Sequence, residues 1–516
     1  MQDIDKGVHR HHGGVRGADT PRQSLQFEGR FGRIFRTLPA ATFSTDALTA
    51  LATAMTSVPE PSPTPETEID AEENQGINAG YTYLGQFIDH DLTFDPASSL
   101  VKQNDPEALT DFRTPRFDLD NLYGRGPDDQ PYLYEADGLH LQLGRPLTGN
   151  PNDKNTLDLP RHTSTKGGAA RALIGDPRND ENVIVSQLQG TMLRFHNKIV
   201  DKNPGAELKE IQRIVRWHYQ WVILQDFLPT IAGKDMVFSV LPHLKSGKSI
   251  LVDKPNLHFY KFRHAPFIPI EFTVAAYRFG HSMIRPIYRL NTTLGKNPPP
   301  ASDPVNGRQV IFDPAGDDLS LTGFREFPSI WAIDWSIFFD MGNKAPSTGV
   351  TRLQKAYKID TSLVSPLGAL PASVAVNPSS LAARNLLRGL RMGLPSGQHV
   401  ARAMGQTPLR DDQLMIGKAT EDDLPVAKSI TALPKFGGEF KGKAPLWYYI
   451  LAEAQQQFKK NDTPIHLGEV GGRIVTETFV GLMLGDSHSF LSQDPTWTPA
   501  TTPFLMSDLI KIAIAP

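Results

Sequence analysis

The chain has 516 residues and carries 53 basic and 56 acidic side chains, so its net charge of -3 gives no overall field for nucleic acid or an anionic membrane. The absence of cysteine excludes disulfide bonds, thiolate nucleophiles, iron–sulfur clusters and zinc–thiolate sites. The 42 glycines and 42 prolines predict many ordered loops between the regular elements.

The first part of the chain is polar and charged, and it lacks the apolar segment of a signal peptide. We expect a mobile tail over 1–22 and an N-terminal extension over 23–70 that packs on the core. His9, His11 and His12 could bind a metal, but a solvated tail is the favoured interpretation. No stretch reaches the roughly 18 apolar residues of a membrane span. The default is a soluble cytoplasmic protein, with signal-independent export and the oligomeric state left open.

Helical periodicity and proline placement predict the remaining elements. A short helix is expected over 46–55, and the proline-rich segment 59–65 cannot be regular helix. Further helices are predicted around His90 and over 188–199, 211–222, 270–284, 380–392, 446–459 and 470–484. Few alternating strands are found, so we expect a mainly α protein with one catalytic domain over 71–495 and a C-terminal tail over 496–516.

The segment 85–94 is the most informative part of the chain. On a helix, the spacing i, i+3 and i+4 would place Gln86, Asp89 and His90 on one face. Asp91 would point about 100° away from His90 around the helix axis. The surrounding residues are mainly apolar or aromatic, which predicts a buried helix, and buried polar groups need partners. One helix could therefore serve two sites.

Four further segments combine polar side chains with glycines or apolar helices. They are 114–124 with Thr114, Arg116, Asp118 and Asp120, 175–182 with Arg178 and Glu181, 272–284 with Arg278 and His281, and 381–395 with Asn385 and Arg388. Taken singly, 114–124 also fits an acidic surface turn, 175–182 a charged turn before a helix, and 272–284 a helix with a core histidine. Phosphate-loop, nucleophile-elbow and His-Glu-x-x-His motifs are absent or incomplete in the sequence, so hydrolase and nucleotide-binding functions have little support.

In this order, the five segments resemble the motifs of the animal-type haem peroxidases of the peroxidase–cyclooxygenase superfamily. The resemblance covers roughly residues 70–495. It implies a helical core around a buried haem b, with long ordered loops and little β-structure.

The resemblance also implies roles around the haem iron. His90 would move protons between the peroxide oxygens, Arg178 would stabilise charge on the departing oxygen, and Gln86 would lie near a water or halide position. His281 would bind the iron on the other side. Gly280 would let the haem plane approach the backbone closely.

Further residues would hold the haem. By resemblance, Asn385 accepts the Nδ1 proton of the iron-binding imidazole, and Arg278 and Arg388 keep the family spacing near the haem. Asp89 and Glu181 occupy the positions from which family members form ester bonds to haem. The family's usual Arg-Asp-His before Gly-Leu-Pro is replaced by residues 390–392, which leaves the propionate contacts open.

A calcium site completes the set implied by the resemblance. Its ligands would be Asp91, the Thr114 side chain, the Arg116 carbonyl, Asp118 and Asp120, and hard oxygen ligands of this kind suit calcium.

The implied function is reduction of hydrogen peroxide through a ferryl-oxo porphyrin radical, followed by oxidation of halide or thiocyanate, or of aromatic one-electron donors. The partners would be peroxide and small-molecule electron donors. The alternative is a fatty-acid dioxygenase of the same superfamily, but its radical tyrosine position is Arg278 here, and Tyr277 is expected to face elsewhere on the helix. A non-catalytic haem-binding protein is a third hypothesis.

Overall fold

The computed structural model describes residues 29–59, 65, 70–93, 110–111, 113–162, 168–262, 265–294, 307–313, 320–342, 346–372, 374–375, 377–458 and 463–516. The predicted tail, with its three histidines, and most of the proline-rich segment lie outside these residues. The structure is 42% helical and 8% strand, which confirms a mainly α protein.

The α-helices are α1 Thr45–Met55, α2 Gly80–Leu92, α3 Asp120–Tyr123, α4 Val183–Lys202, α5 Leu208–Val222, α6 Leu228–Ala232, α7 Lys234–Val240, α8 His243–Ser246, α9 Ile270–Thr273, α10 Leu381–Arg391, α11 Gly397–Ala403, α12 Leu446–Gln455, α13 Glu469–Gly485, α14 Phe490–Gln493 and α15 Met506–Ile514. A π-helical turn, Ile223–Phe227, joins α5 to α6. Short 3₁₀ helices lie at Pro131–Leu133, Pro177–Asp180, Ala276–His281, Trp335–Ile337, Ser365–Gly368, Asp411–Gln413, Ile430–Ala432 and Gly437–Phe440.

The strands are short and form small sheets. They are β1 Gly29–Gly32, β2 Glu73–Asn78, β3 Thr110–Asp111, β4 Ile268–Pro269, β5 Ile287–Arg289, β6 Arg308–Val310, β7 Lys355–Tyr357, β8 Met415–Ile416 and β9 Lys428–Ser429. In the three-stranded sheet, β1 lies between β3, to which it is antiparallel, and β4, to which it is parallel. The pairs β2–β7, β5–β6 and β8–β9 are antiparallel.

Helix α2 lies in the centre of the core. Its apolar side chains Phe87, Ile88 and Leu92 are fully buried, and it packs against α4 and the 3₁₀ helix Ala276–His281. Burial of such a side chain stabilises the fold by roughly 1.5–3 kcal/mol. The flanking helices also pack on this core, α1 against α10 and α15 against α4. Among the described residues, no helix combines the length and apolar character needed to cross a bilayer.

Two predicted helices differ from the structure. The segment 270–284 is broken into α9 and a 3₁₀ helix, because Ala275 has φ -132° and ψ -71°, outside the helical region. The Arg278 side chain compensates for the break, since its Nε donates to the Thr273 carbonyl at 2.9 Å. Helix α12 ends at Gln455, earlier than the predicted 459.

Candidate active site

One cavity brings together six of the nine residues that were predicted to act at the haem or to hold it. It is lined by Gln86, Asp89 and His90 from α2, by Glu181, and by the segment 277–281, and its volume is about 270 Å³. This volume lies close to the lower end of the roughly 300–1,000 Å³ of pockets for drug-sized ligands. The cavity therefore has the size of a small-molecule binding site.

Gly280 borders open space in this cavity. A Cβ built on it would meet no heavy atom within 4 Å, leaving its own neighbours in the chain aside. A flat group could thus approach this backbone closely.

His90 is held with one ring nitrogen towards the protein. Its Nδ1 lies 2.7 Å from Asn179 Oδ1, and the amide of Asn179 donates in turn to Gln189 Oε1 at 2.9 Å. The amide oxygen accepts the Nδ1 proton, so Nε2 of the neutral ring carries a free lone pair. Burial, assisted by the charge of Arg178, lowers the pKa of His90 to about 3. The imidazole is therefore a neutral base at physiological pH.

Arg178 is not among the residues that line the cavity. Its Nη2 donates to Asp176 Oδ2 at 2.7 Å and to the carbonyls of His90 and Thr93 at 3.1 and 2.5 Å. These carbonyls lie at the C-terminal end of α2, where a cation is favourable. Asp176 also caps the 3₁₀ helix Pro177–Asp180 by accepting from the Arg178 amide at 2.8 Å. Arg178 therefore joins its own turn to the end of the helix that carries His90.

Two carboxyl groups face the same space as His90. Glu181 accepts a hydrogen bond from Gln86 Nε2, and its Oε1 lies 3.7 Å from His90 Nε2. Burial raises the pKa of Glu181 to about 7 and also raises the pKa of Asp89, while Arg178 opposes both shifts. Both carboxyl groups beside the cavity therefore bind a proton more readily than exposed carboxyl groups do.

On the opposite segment, His281 lies beside Asn385 in an orientation that differs from the predicted one. Arg278 Nη1 donates to Asn385 Oδ1 at 2.7 Å, so Asn385 Nδ2 faces His281 Nδ1 at 2.8 Å. The predicted acceptor is already used, because a guanidinium can only donate. Burial lowers the pKa of His281 to about 3, so the ring is neutral.

The remaining predicted cavity residues are placed as follows. Arg278 borders the cavity, and Arg388 is buried on α10, one turn after Asn385 and outside the lining. The expectation that Tyr277 faces elsewhere is wrong, because Tyr277 also lines the cavity. The 3₁₀ turn changes the angular spacing that an α-helix would have imposed.

On the other side of α2, Asp91 meets Asp118 and Asp120. Their oxygens can all lie within 4.8 Å of one another. Both carboxylate oxygens of Asp91 lack a hydrogen-bond partner among the described residues, and the side chain is fully buried. Thr114 Oγ1 donates to Asp118 Oδ2 at 2.6 Å, and the Arg116 amide donates to the Thr114 carbonyl at 2.8 Å. The structure therefore brings the three predicted aspartates together, with Thr114 bound to one of them.

Neighbouring arginines offset part of the negative charge in this cluster. Burial raises the pKa values of all three aspartates, and that of Asp120 to about 7. Arg113 offsets part of the charge through an ion pair with Asp120 Oδ1 at 3.1 Å. Three neighbouring carboxylates, two of them buried, match the donor set of a hard divalent cation.

Sequence reasoning missed several residues of this region. Asn179, which holds His90, stands one position after Arg178, and its place inside that charged turn was the available signal. Arg113 contacts Asp120 and also donates to Asp176 Oδ2 at 2.6 Å. No spacing rule connects these distant positions, so only the tertiary structure identifies Arg113.

A family model provides the decisive comparison. The model described as animal haem peroxidase matches residues 100–415, which are more than half of the chain and contain Arg178, Glu181, His281 and Asn385. The chain belongs to the animal haem peroxidase family. The matched region starts C-terminal to His90, so the place of His90 rests on its position in the shared cavity.

Curated relatives of this family member match over shorter regions. Chorion peroxidase of Drosophila melanogaster is 28% identical over 212 residues, which are 38% of this chain and 24% of that protein. Peroxidase-like protein of Margaritifera margaritifera is 31% identical over 126 residues, 22% of this chain and 14% of that protein. The chain thus spans about a quarter or less of these two relatives.

Solved structures match over nearly the whole chain. Peroxidase A of Dictyostelium discoideum has a TM-score of 0.52 and 15% identity, and 95% of this chain and 92% of that one are covered. A fatty acid alpha-dioxygenase variant of Oryza sativa, solved with palmitic acid, has a TM-score of 0.53 and 14% identity, with 95% and 79% covered. At these identities the likeness shows a common fold.

Proposed function

We propose that this chain is a haem peroxidase that reduces hydrogen peroxide and oxidises small electron donors. The observation that carries the proposal is the single cavity lined by both His90 and His281, with open space beside Gly280. Haem bound there would supply the iron that binds peroxide and the electrons that reduce it.

The residues on the α2 side would handle protons and charge. His90 presents a neutral Nε2 towards the cavity, so it can take the proton from one peroxide oxygen and return it to the other. Arg178 lies outside the cavity lining, so its guanidinium would have to turn from Asp176 towards the cavity to stabilise the negative charge that develops on the departing oxygen. Gln86 would orient Glu181 and contact the water or halide position.

The residues on the other side would fix the iron ligand. Binding of iron through His281 Nε2 requires the ring proton to sit on Nδ1. The Asn385 amide must then turn its oxygen towards the ring, away from Arg278. Arg278 and Arg388 would provide positive charge near the haem edge. This neutral amide acceptor would make His281 a weaker electron donor than a carboxylate partner would.

We further propose calcium as a second, structural cofactor. Asp91, Asp118, Asp120, the Thr114 side chain and the Arg116 carbonyl would bind it. The unpartnered buried oxygens of Asp91 support this assignment. Calcium would neutralise the cluster directly behind the base His90.

The third proposal is ester attachment of haem through Asp89 and Glu181. Both are cavity-lining carboxyl groups whose charged forms are disfavoured by burial, and esterification would remove both charges. After peroxide treatment of the holoenzyme, acid-acetone should leave haem on the protein in denaturing mass spectrometry. Asp89→Asn and Glu181→Gln should each remove one link, and complete release from the native chain would contradict the esters alone.

We also propose that residues 71–495 form one catalytic domain, with the flanking segments packed on it. The contacts of α1 with α10 and of α15 with α4 support this division.

The central experiment is titration of the purified chain with haem, followed by a donor assay with peroxide. We expect a ferric haem spectrum that His281→Ala loses, and oxidation of a phenolic donor only when peroxide is present. Haem binding without any reaction with peroxide would instead favour a non-catalytic haem protein. Comparison of bromide, thiocyanate and phenolic donors would then define the donor class.

A fatty-acid dioxygenase is the second candidate, because the phenol of Tyr277 borders the cavity and has no hydrogen-bond partner among the described residues. Oxygen uptake with linoleate that is lost in Tyr277→Phe would favour this candidate. Arg278 stands at the position where the resemblance places the radical tyrosine of dioxygenases, and this supports the peroxidase.

A further inference from the structure

A phenol–carboxylate pair lies at the wall of the cavity, at the opposite end of α2 from His90. Tyr81 lines the cavity, and its hydroxyl donates to Asp226 Oδ1 at 2.6 Å. This length is typical of an O–H group that donates to an ionised carboxylate, roughly 2.5–2.7 Å. The ring is fixed by an edge contact with Phe339, with the ring centroids 5.4 Å apart. None of the roles assigned above uses this pair.

Asp226 is a buried carboxylate with an unusual backbone setting. It is 6% exposed and belongs to the π-helical turn Ile223–Phe227, a distortion frequent at functional sites. Its second oxygen accepts from the Met506 amide at 2.8 Å. No lysine or arginine of the described chain forms an ion pair with it. The carboxylate is thus held between two hydrogen-bond donors, the Tyr81 hydroxyl and the Met506 amide.

The direction of the pKa shifts suits proton transfer from the phenol. Burial raises the pKa of Asp226, which makes it a stronger proton acceptor than an exposed aspartate. Burial and the neighbouring carboxylate raise the pKa of Tyr81, so the phenol keeps its proton at rest. The proton can therefore move to Asp226 only when the phenol becomes a much stronger acid.

Two other tyrosines line the cavity and provide an internal comparison. The ring of Tyr83 packs edge-on against Tyr288, another phenol, and the Tyr277 hydroxyl has no hydrogen-bond partner in the described part of the chain. Oxidation of a phenol makes it strongly acidic, so a tyrosine beside a base loses an electron more easily. Tyr81 is the cavity tyrosine with that base.

We propose that Tyr81 is a redox-active residue that gives one electron to the oxidant formed from peroxide in the cavity, while Asp226 takes its proton. The inference rests on the proposed peroxidase function. One electron leaves the Tyr81 phenol, and the O–H bond breaks as the proton passes to Asp226 Oδ1. The products are a neutral phenoxyl radical and a neutral carboxylic acid. Peroxide needs two electrons and two protons to become two waters, and Tyr81 supplies one of these electrons when no external donor is present.

The position of Tyr81 is compatible with this role. Tyr81, Gly85 and Asp89 stand at i, i+4 and i+8, so they follow one stripe of α2, and Tyr81 lies about 12 Å along the axis from Asp89. Gly85 adds no side chain between them. The radical would thus be stored on the helix that carries the base, at a distance from the reacting oxygens.

The test uses the haem-loaded protein mixed with hydrogen peroxide without a donor and frozen for electron paramagnetic resonance. We expect a phenoxyl signal whose hyperfine splitting narrows when the protein is made with β-deuterated tyrosine. Tyr81→Phe should lose this signal, while the matched variants Tyr83→Phe and Tyr277→Phe keep it. Phenylalanine retains the ring contact with Phe339, so the substitution leaves the packing in place.

A second variant tests the proton acceptor. Asp226→Asn keeps the shape and an oxygen for the Met506 amide, but it cannot take a proton from Tyr81. We expect slower formation and a lower yield of the radical in this variant, and a loss of the solvent deuterium effect on its formation. An unchanged rate of formation would overturn the role of Asp226.

The haem absorbance is recorded in the same samples, which separates the two proposals. If peroxide changes the haem spectrum but the phenoxyl signal persists in Tyr81→Phe, the inference is wrong and the peroxidase proposal stands. A radical on tryptophan, located by spin-trap adducts in peptide mass spectrometry, would also contradict the inference and leave the peroxidase proposal standing. If peroxide leaves the haem spectrum unchanged, both proposals fail.

Discussion

The two sides of helix α2 bury ionisable groups in opposite ways. On the cavity side, Asp89 and His90 lie among arginines and amides, and His90 is neutral because burial lowers its pKa to about 3. On the other side, Asp91 meets two more carboxylates, and its own oxygens have no hydrogen-bond partner among the described residues. A chain of ion pairs joins the sides, from Asp120 through Arg113 and Asp176 to Arg178, at 3.1, 2.6 and 2.7 Å.

This difference teaches that neighbouring positions of one helix can have separate tasks. The cavity side would do chemistry, because His90 is neutral and faces open space. The carboxylate side would hold the helix in place through a metal. The following predictions test whether this division is real.

The largest effect is expected for His90→Ala in the haem-loaded protein. Loss of the acid–base group should slow the reaction with peroxide by roughly 10²–10⁴-fold. Stopped-flow haem absorbance at several peroxide concentrations measures this rate. His196→Gln is the matched control, since His196 is equally buried but binds Tyr123 and the Leu139 carbonyl away from the cavity. A native rate in His90→Ala would show that the cavity side of α2 takes no part in the reaction with peroxide.

Arg178→Gln separates charge stabilisation from helix capping. A direct role in stabilising the departing oxygen should cost roughly 10²–10³-fold in the same rate, as for loss of an oxyanion donor. Asp176→Asn keeps the arginine and removes its carboxylate partner, so it should slow the reaction much less. If Arg178→Gln lowers only the melting temperature, the arginine acts as a cap of α2. It would then belong to the structural side of the helix and not to the chemical side.

Calcium removal should affect stability before chemistry. Calcium at about 100 times its Kd would stabilise the fold by about 2.7 kcal/mol, or roughly 3 °C in a protein of this size. Differential scanning calorimetry with and without chelator measures the shift, and Asp118→Asn should abolish it. The control is Asp137→Asn, which changes an exposed aspartate and should leave the shift in melting temperature unchanged. A chelated protein with native stability would contradict the structural role of the cluster.

The smallest effect concerns pH. An ordinary histidine titrates near 6.5, and protonation would remove the base. Because the pKa of His90 is lowered to about 3, its neutral form persists as the pH falls from 8 to 5. In the Glu181→Gln variant, which removes the neighbouring carboxyl group whose own pKa is about 7, the rate with peroxide should therefore stay nearly constant over this interval in stopped-flow measurements. A sigmoidal loss centred near pH 6.5 would show that the imidazole is solvated.

The sequence determined the local part of this site. The spacing of Gln86, Asp89, His90 and Asp91 predicted a helix with two polar faces, because helical periodicity depends only on positions close in the chain. The order of the five motifs predicted the family and the mainly α fold. These signals are local in character and need no knowledge of long-range contacts.

The tertiary structure decided how those residues are partnered. It turned the Asn385 oxygen to Arg278, broke the helix before His281, brought Tyr277 to the cavity, and bound Arg178 to the carbonyls at the end of α2. Tyr81 and Asp226 also meet only through the fold, 145 positions apart in the chain. Such contacts depend on how a donor-only guanidinium, an amide and buried carboxyl groups share a limited number of lone pairs in three dimensions. No spacing in the sequence encodes that competition.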